Sequence, residues 1–172
     1  TREELGDAAE LFELAPFEHG HYVLRALAGA PVPDDVRQRL YSLREQRVRP
    51  GLDDKVLTSW NALMISALAE AGAALSEPRY VDAAVRAAEF IASERRDSDG
   101  RLLRTDRLRG YLEDYAYLLE ALVTLYEATF DPRWYHEAVA VADQLIELFS
   151  DPERGGFFTT AADHERLPVR RK

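Results

Sequence analysis

Apolar residues recur at helical spacing along most of the chain, and four long segments carry the strongest pattern. These segments cover residues 57–75, 78–96, 111–129 and 131–149. In each of them an apolar side chain returns every three or four positions, which is the period of one helix face. Pro78 and Pro132 stand where the fixed φ of proline suits a first helical turn. The chain is therefore predicted to be all-helical from about residue 33 onward.

The first fifty residues carry a weaker pattern, and they are interpreted as a linker segment. Residues 1–14 predict a short helix with Thr1 as its N-cap and Glu4 at the capping-box position. The segment HGHYVLRAL, residues 19–27, is rich in strand formers and predicts a strand. A helix is predicted within residues 31–48, ended by the Pro-Gly break that follows.

The four long helices form two copies of one unit, because matching residues recur at an offset of 54 positions. The pairs are Pro78 and Pro132, Arg79 and Arg133, Tyr80 and Trp134, Ala84 and Ala138, Ala88 and Ala142, and Asp97 and Asp151. A repeat of this length and content predicts stacked helical hairpins. Residues 51–172 are thus assigned to a hairpin-repeat domain. The first helix of each pair is apolar on several faces and is predicted to be the inner one.

Charge and composition exclude several functional classes. The net charge is −9, which argues against generic binding to nucleic acid or to anionic membranes. The chain has no cysteine, so thiolate metal sites and a cysteine nucleophile are excluded. No apolar run is long enough for a membrane helix, and a cytoplasmic location is expected. The start without Met and the charged end predict a fragment of a longer protein.

Polar and aromatic residues gather where the two inner helices are predicted to begin. They are Asp53, Asp54, Lys55, Ser59, Trp60 and Asn61 in the first unit, and Tyr111, Glu113, Asp114 and Tyr115 in the second. Carboxylates and Asn bind hydroxyl groups, and Trp or Tyr rings pack on the C–H faces of sugars. The cluster therefore predicts a funnel for a polyhydroxylated ligand, a small carbohydrate.

Within this funnel Asp53 and Asp114 are the predicted catalytic carboxylates, acting as a general acid/base pair. Predicted substrate-binding residues are Asp54, Lys55, Trp60, Asn61, Tyr111 and Tyr115. Because Asp53 and Asp54 are adjacent, they would project to opposite sides of an extended segment. Asp54 is also expected to cap the helix that begins near Leu57.

Each of these residues can also be interpreted as purely structural. Acidic residues in a first helical turn are common as dipole and cap partners, and a tryptophan on an apolar helix is more often a core residue. Lys55 would then pair with a neighbouring carboxylate. His164, in the last loop, is either a polar loop residue or a catalytic base. No metal or cofactor is predicted, because His19 and His21 lack a third ligand and Gly155-Gly156 precedes no helix.

Two long stretches resemble a known family. QRVRPGLDDKVLTSWNALMISALA and GYLEDYAYLLEALVTLYEATFDPRW, followed by DPERGGFFTTAADHERLPVRRK, are similar to landmarks of YyaL-type thioredoxin-domain-containing proteins, which include the spermatogenesis-associated proteins. The resemblance covers residues 44–172. Ala62 stands where the family usually has Gly.

The resemblance implies a thioredoxin-like domain followed by an (α/α) toroid of six helical hairpins. That toroid is glycosidase-like and similar to the N-acylglucosamine 2-epimerase fold, and this chain would supply its first hairpins. By this analogy Asp53, Asp54, Trp60, Asn61 and Asp114 map to the funnel. A sugar-active epimerase, isomerase or hydrolase is expected in the full-length form, while the fragment alone is expected to be inactive.

The alternative is a non-catalytic interaction or scaffold module for the thioredoxin-like domain of the same full-length chain. The two hypotheses differ in where three side chains point. A sugar-active domain requires Asp53, Asp54 and Asp114 to point into a common cavity, whereas a scaffold allows them to point into solvent. In a closed ring, later hairpins would cover apolar helix faces that the fragment leaves exposed. Because large exposed apolar patches favour association, self-association of the fragment is also expected.

Overall fold

A computed structural model describes residues 6–27, 31–164 and 169–172 of the chain. The predicted N-cap Thr1 and the capping-box residue Glu4 lie outside the described residues. The chain divides into two compact units, Thr1–Asp53 and Asp54–Lys172. Each unit has its own secondary structure, and the candidate site residues other than Asp53 belong to the second.

The first unit combines a β-hairpin with one helix. Strand β1 (Phe12–Pro16) pairs antiparallel with β2 (Tyr22–Ala26), and short 3₁₀ turns at Gly6–Leu11 and Glu18–Gly20 precede and join them. The predicted strand is thus present.

The helix predicted over residues 1–14 is present only in part: Gly6–Leu11 forms a 3₁₀ helix, and residues 12–14 belong to strand β1. Phe12 opposes Ala26 across the hairpin, and this pairing overrides the local helical pattern. Helix α1 (Asp34–Glu45) then follows as predicted, with Val36 buried.

The second unit contains the four predicted long helices. They are α2 (Thr58–Leu75), α3 (Pro78–Glu94), α4 (Leu112–Thr129) and α5 (Pro132–Phe149). Pro78 and Pro132 occupy the first helical turn of α3 and α5, as the fixed φ of proline allows. The all-helical prediction is confirmed for this unit, and the β-hairpin is confined to the first.

The helices pack as two antiparallel hairpins, α2 with α3 and α4 with α5, and α2 lies directly against α4. Hairpin 1 denotes α2, α3 and the loop that follows α3. Hairpin 2 denotes α4, α5 and the loop that follows α5. The shared core is built from aliphatic and aromatic side chains, including Ile65, Ile91, Leu118, Leu122, Leu125, Trp134 and Phe149.

Turns at equivalent positions have the same backbone geometry in both hairpins. Ser76 ends α2 and Phe130 ends α4, and each has a left-handed φ of 55°. The 54-residue repeat in sequence is therefore a repeat in structure.

In hairpin 1 the close approach of α2 and α3 requires Gly72, because a Cβ there would lie 2.5 Å from Val81 Cγ2.

The loops after α3 and α5 also repeat, and both return to the start of an inner helix. Thr58 donates its N–H to Arg104 O at 3.0 Å, and Leu112 donates to Thr159 O at 3.1 Å. These N–H groups belong to the first turns of α2 and α4, which a helix cannot satisfy internally. Each loop thus folds over the N-terminal end of the inner helix in its own hairpin.

An aspartate anchors each loop. Asp97 Oδ1 accepts the N–H groups of Asp99 and Arg101, both at 2.9 Å. At the equivalent position Asp151 Oδ1 accepts from Glu153 and Arg154 at 3.0 and 3.1 Å. Within the described ranges no helix combines the length and apolar character needed to cross a bilayer.

Candidate functional site at the start of the inner helices

Asp114 joins the starts of both inner helices. Its carboxylate is fully buried, with 0% exposure. Oδ1 accepts the N–H of Ser59 in α2 at 3.0 Å, and Oδ2 accepts the N–H of Tyr111, which precedes α4, at 2.9 Å. A carboxylate is well placed here, because free N–H groups and the positive ends of two helix dipoles converge on it.

Arg104, from the first loop, balances the charge of Asp114. Its Nη1 lies 3.1 Å from Asp114 Oδ2 and also pairs with Glu113 Oε1. Burial acts to lower the pKa of Arg104, but its hydrogen bonds and charge interactions with Glu113 and Asp114 outweigh burial and raise that pKa above its usual value. The guanidinium also lies over the Tyr111 ring, 5.2 Å from its centroid. Arg104 is therefore a fixed cation at this end of the unit.

The adjacent carboxylates of the DDK segment are exposed. Asp53, Asp54 and Lys55 all have exposed side chains, and Asp53 is the last residue of the first unit. The pairing of Asp53 with Asp114 as an acid/base couple stays a prediction, as do the ligand contacts of Asp54 and Lys55.

The cap expected from Asp54 at the start of α2 is supplied by other groups. The N–H groups of Thr58 and Ser59 are accepted by Arg104 O and by Asp114 Oδ1. That expectation is therefore wrong for these two N–H groups. The acceptors lie about fifty residues downstream in the sequence. They cannot be predicted from the residues that precede the helix.

Trp60 and Asn61 take different positions on the first turn of α2. Trp60 is 70% exposed, so it is not the core residue that the structural interpretation expected. Asn61 is half-buried and donates its Nδ2 to Leu57 O at 2.8 Å. Trp60 thus offers an open aromatic face, whereas the Asn61 amide already has a partner on its own helix.

The two predicted tyrosines of hairpin 2, Tyr111 and Tyr115, differ in burial. Tyr111 is half-buried, and its ring centroid lies 5.5 Å from that of His164. Tyr115 is fully buried, accepts the N–H of Leu102 at 3.0 Å and packs edge-on against Phe149. The observed contacts of Tyr115 are those of a core residue that holds the first loop against α4, and its predicted ligand contact stays a prediction.

A groove of about 500 Å³ opens beside the first two turns of α4. Its lining consists of Tyr111, Leu112, Glu113, Ala116, Tyr117, Thr159 and Thr160. Glu113 is the exposed carboxylate of this groove, with its side chain 51% exposed. Of the adjacent pair Glu113 and Asp114, the structure therefore exposes the first and buries the second.

Five lining residues of the groove were absent from the sequence prediction: Leu112, Ala116, Tyr117, Thr159 and Thr160. Tyr117 follows Glu113 by four positions, and on a helix that spacing places both on one face. This signal was available in the sequence. The two threonines reach the groove only because the loop after α5 returns to α4, and the sequence alone does not show that return.

His164 lies next to Tyr111 and is half-buried, and its Nδ1 has no hydrogen-bond partner among the described atoms. Among the described residues no three His, Cys, Asp or Glu side chains are grouped so that they could hold a metal ion.

The sequence is similar to part of a larger protein. It is 35% identical over 150 residues to spermatogenesis-associated protein 20 of Homo sapiens and 36% identical to that of Mus musculus. The chain is homologous to part of spermatogenesis-associated protein 20. An uncharacterised protein of Caenorhabditis elegans is 34% identical over 150 residues.

These matches cover most of this chain but little of the relatives. For the human protein the match spans 78% of this chain and 19% of the relative. The match thus spans about one fifth of the length of the human relative. No protein family profile matches the chain.

Proposed function

We propose that the chain forms the first hairpins of an (α/α) toroid in a YyaL-type protein, and that it binds a sugar or another polyhydroxylated ligand in the groove beside α4. The observation that carries the proposal is the composition of that groove. It combines two tyrosine rings, one exposed carboxylate and two threonine hydroxyls in a volume of about 500 Å³. Sites of this kind use rings for shape and a few polar groups for orientation.

The polar groups of the groove suit hydroxyl groups. Glu113 can accept hydrogen bonds from two adjacent hydroxyls, and Tyr111 and Tyr117 offer rings for C–H faces. Thr159 is exposed, and its hydroxyl, which donates to Arg171 O at 3.1 Å, can still accept a hydrogen bond from a ligand hydroxyl.

The repeat supports the toroid. Both hairpins use the same turn, the same aspartate anchor and the same loop return, and inner helix α2 packs on inner helix α4. Hairpins related in this way can be continued by further copies, and a ring is one closed outcome of such stacking.

The proposal includes catalysis by the full-length protein. It would act as an epimerase, isomerase or hydrolase that uses general acid/base chemistry. The predicted pair remains Asp53 and Asp114. Because Asp114 is buried and bonded to two N–H groups and Arg104, Glu113 is the carboxylate that a ligand in the groove would meet.

Isothermal titration with a panel of monosaccharides, disaccharides and sugar phosphates tests the binding proposal. The chain should bind at least one neutral sugar, and Tyr117→Ala should weaken that binding by about tenfold, equivalent to about 1.4 kcal/mol. Glu113→Gln should weaken it as well.

Tyr135→Ala is the matched control, since Tyr135 is an exposed tyrosine of α5 and does not line the groove. Its affinity should equal that of the unmodified chain. Equal weakening by Tyr135→Ala and Tyr117→Ala, or no binding across the panel, would reject the groove as a sugar site.

The second candidate is a non-catalytic scaffold for a thioredoxin-like domain, and the burial of Asp114 favours it. In a scaffold this carboxylate has only a structural task. The isolated thioredoxin-like domain of a full-length relative, added to the chain, should then bind with a Kd that groove substitutions do not change. Absence of binding in such a titration would count against the scaffold.

A further inference from the structure

Three arginines of the first unit line one cavity, which has a volume of about 390 Å³. Strand β2 contributes one lining residue, helix α1 contributes four, and one more follows the helix. This cavity, here named the arginine cavity, is lined by Leu24, Arg37, Leu40, Tyr41, Arg44 and Arg47. Its volume is sufficient for a small organic molecule.

The charged side chains of the arginine cavity all have the same sign. Residues 36–49 contain five arginines and one glutamate, although the whole chain has a net charge of −9. The glutamate, Glu45, pairs with Arg49, which does not line the cavity. The three lining arginines form no ion pair with any residue that the structure describes. The groove beside α4 differs in this respect, because its charged residue is Glu113.

The stability of α1 does not account for all three cations. Arg44 and Arg47 lie at the C-terminal end of the helix, where the helix dipole favours a positive charge. Arg37 lies at the other end, where the dipole disfavours one, and it does not pair with Asp34 or Asp35 in the first turn. Like charges around one cavity also repel one another, and an anion among them removes that repulsion.

We propose that the arginine cavity binds a phosphate monoester of a small ring-containing molecule, a sugar phosphate or a nucleoside monophosphate. A phosphate monoester carries a charge of about −1.5 to −2 at pH 7 and has three free oxygens. The planar guanidinium group binds such oxygens through two parallel N–H donors. Three arginines therefore match a phosphate better than they match a carboxylate, which has one charge and two oxygens.

The remaining lining residues suit the organic group of such an ester. Leu24 and Leu40 supply aliphatic surface, and Tyr41 supplies an aromatic ring that is 51% exposed. The Arg44 guanidinium lies 5.5 Å from the centroid of the Tyr41 ring, so a cation and an aromatic surface are adjacent. Arg37 and Arg44 are seven positions apart and share a helix face with Tyr41. A phosphate next to a sugar ring or a base can contact both kinds of surface at once.

Isothermal titration with glucose 6-phosphate, adenosine monophosphate, glucose and inorganic phosphate tests the proposal. At least one of the two esters should bind about tenfold more tightly than inorganic phosphate, and the tighter ester identifies the organic group. Arg37→Gln and Arg47→Gln should each weaken ester binding by about tenfold. Arg37→Lys should weaken it less, because lysine keeps the charge but lacks the two parallel donors.

Two control variants locate the site. Arg49→Gln should leave ester affinity unchanged, since Arg49 pairs with Glu45 and lies outside the cavity lining. Tyr117→Ala, in the groove beside α4, should also leave it unchanged. Ester binding that depends on Arg37 and not on Tyr117 therefore supports the arginine cavity whether or not the groove binds a sugar. Circular dichroism should show unchanged helix content in the arginine variants, because Arg37 and Arg47 are exposed.

Several results would overturn the proposal. They are no binding of either ester, equal affinity for the esters and inorganic phosphate, and equal weakening by Arg37→Gln and Arg49→Gln. The last of these would show that the arginines act only through the overall charge of the surface. Weakening by Tyr117→Ala without weakening by Arg37→Gln would assign ester binding to the groove instead.

Discussion

Hairpins 1 and 2 share a backbone but differ in the side chain at the third position of the inner helix. In hairpin 2 that position is Asp114, which is fully buried and bonded to the neighbouring hairpin. In hairpin 1 it is Trp60, which is 70% exposed. The turns, loop returns and aspartate anchors are otherwise the same. The backbone repeat therefore sets where a side chain lies, and the side chain decides whether that position joins two hairpins or presents an open surface.

The largest effect is expected from Asp114→Ala. It removes the acceptor of two N–H groups and leaves Arg104 with one carboxylate fewer, so the free energy of unfolding should fall by about 3 kcal/mol. Urea denaturation measures it. Trp60→Ala, at the equivalent position, should change stability by less than about 0.5 kcal/mol at low protein concentration. Equal losses in the two variants would show that the hairpins do not differ at this position.

Gly72→Ala should have the next largest effect. The new Cβ would lie 2.5 Å from Val81 Cγ2 and 3.0 Å from Val81 N, so α2 and α3 must move apart, at a cost of about 1–3 kcal/mol. Thermal unfolding followed by circular dichroism measures the loss. Gly51→Ala is the control, because a Cβ at Gly51 has no atom within 4 Å. A neutral Gly72→Ala would mean that hairpin 1 is packed less closely than the structure indicates.

Lowering the pH should reduce the contribution of both loops to the free energy of unfolding. Burial acts to raise the pKa of Asp97, but the N–H groups of Arg101 and Asp99 and the cation of Arg109 outweigh it and lower that pKa below 3.8. The pKa of Asp151 is lowered chiefly by its hydrogen bond with Lys172. In both cases folding favours the charged form.

The stability contributed by these two carboxylates is complete above pH 3.8 and is lost as the pH falls through the lowered pKa. Unfolding by urea at pH 2.5–5 should therefore show a smaller pH dependence in Asp97→Asn and in Asp151→Asn than in the unmodified chain. If only one variant differed, the two loop anchors would not be energetically equivalent.

The smallest effect is expected at the helix ends, and it is stabilising. Ser76 has a left-handed φ of 55°, which glycine adopts without a Cβ penalty. Ser76→Gly should raise the free energy of unfolding by about 0.5 kcal/mol. Phe130→Gly should gain less, because Phe130 also packs its ring against Tyr126. A larger gain at Phe130 would show that this ring contact contributes little.

Helical pattern and repeat could be predicted from the sequence because they are local. All four long helices lie within the segments whose apolar residues recur every three or four positions, and Pro78 and Pro132 mark two of their starts. β1 could not be predicted, because Phe12–Pro16 is extended only through its pairing with β2.

The gathering of polar residues at the helix starts could be predicted from the sequence, but their individual exposure could not. Polar residues do gather at the starts of α2 and α4, yet their exposure depends on contacts between distant parts of the chain. Asp114 is buried where the Ser59 N–H and Arg104 converge on it, and the first N–H groups of α2 are accepted by Arg104 O and Asp114 Oδ1 while Asp54 is exposed. Trp60 is exposed because α2 presents a face that α4 does not cover. None of these relations is visible in local spacing.

The hydrogen bond from Ser59 to Asp114 joins residues that are more than fifty positions apart. Hairpin 1 therefore cannot complete the first turn of α2 until hairpin 2 has docked. The two hairpins should behave as coupled neighbours in a one-dimensional array, in which the interface term contributes to the stability of both. The Ser59 amide hydrogen should then exchange only when the hairpins separate, and its exchange rate reports the coupling of the two hairpins.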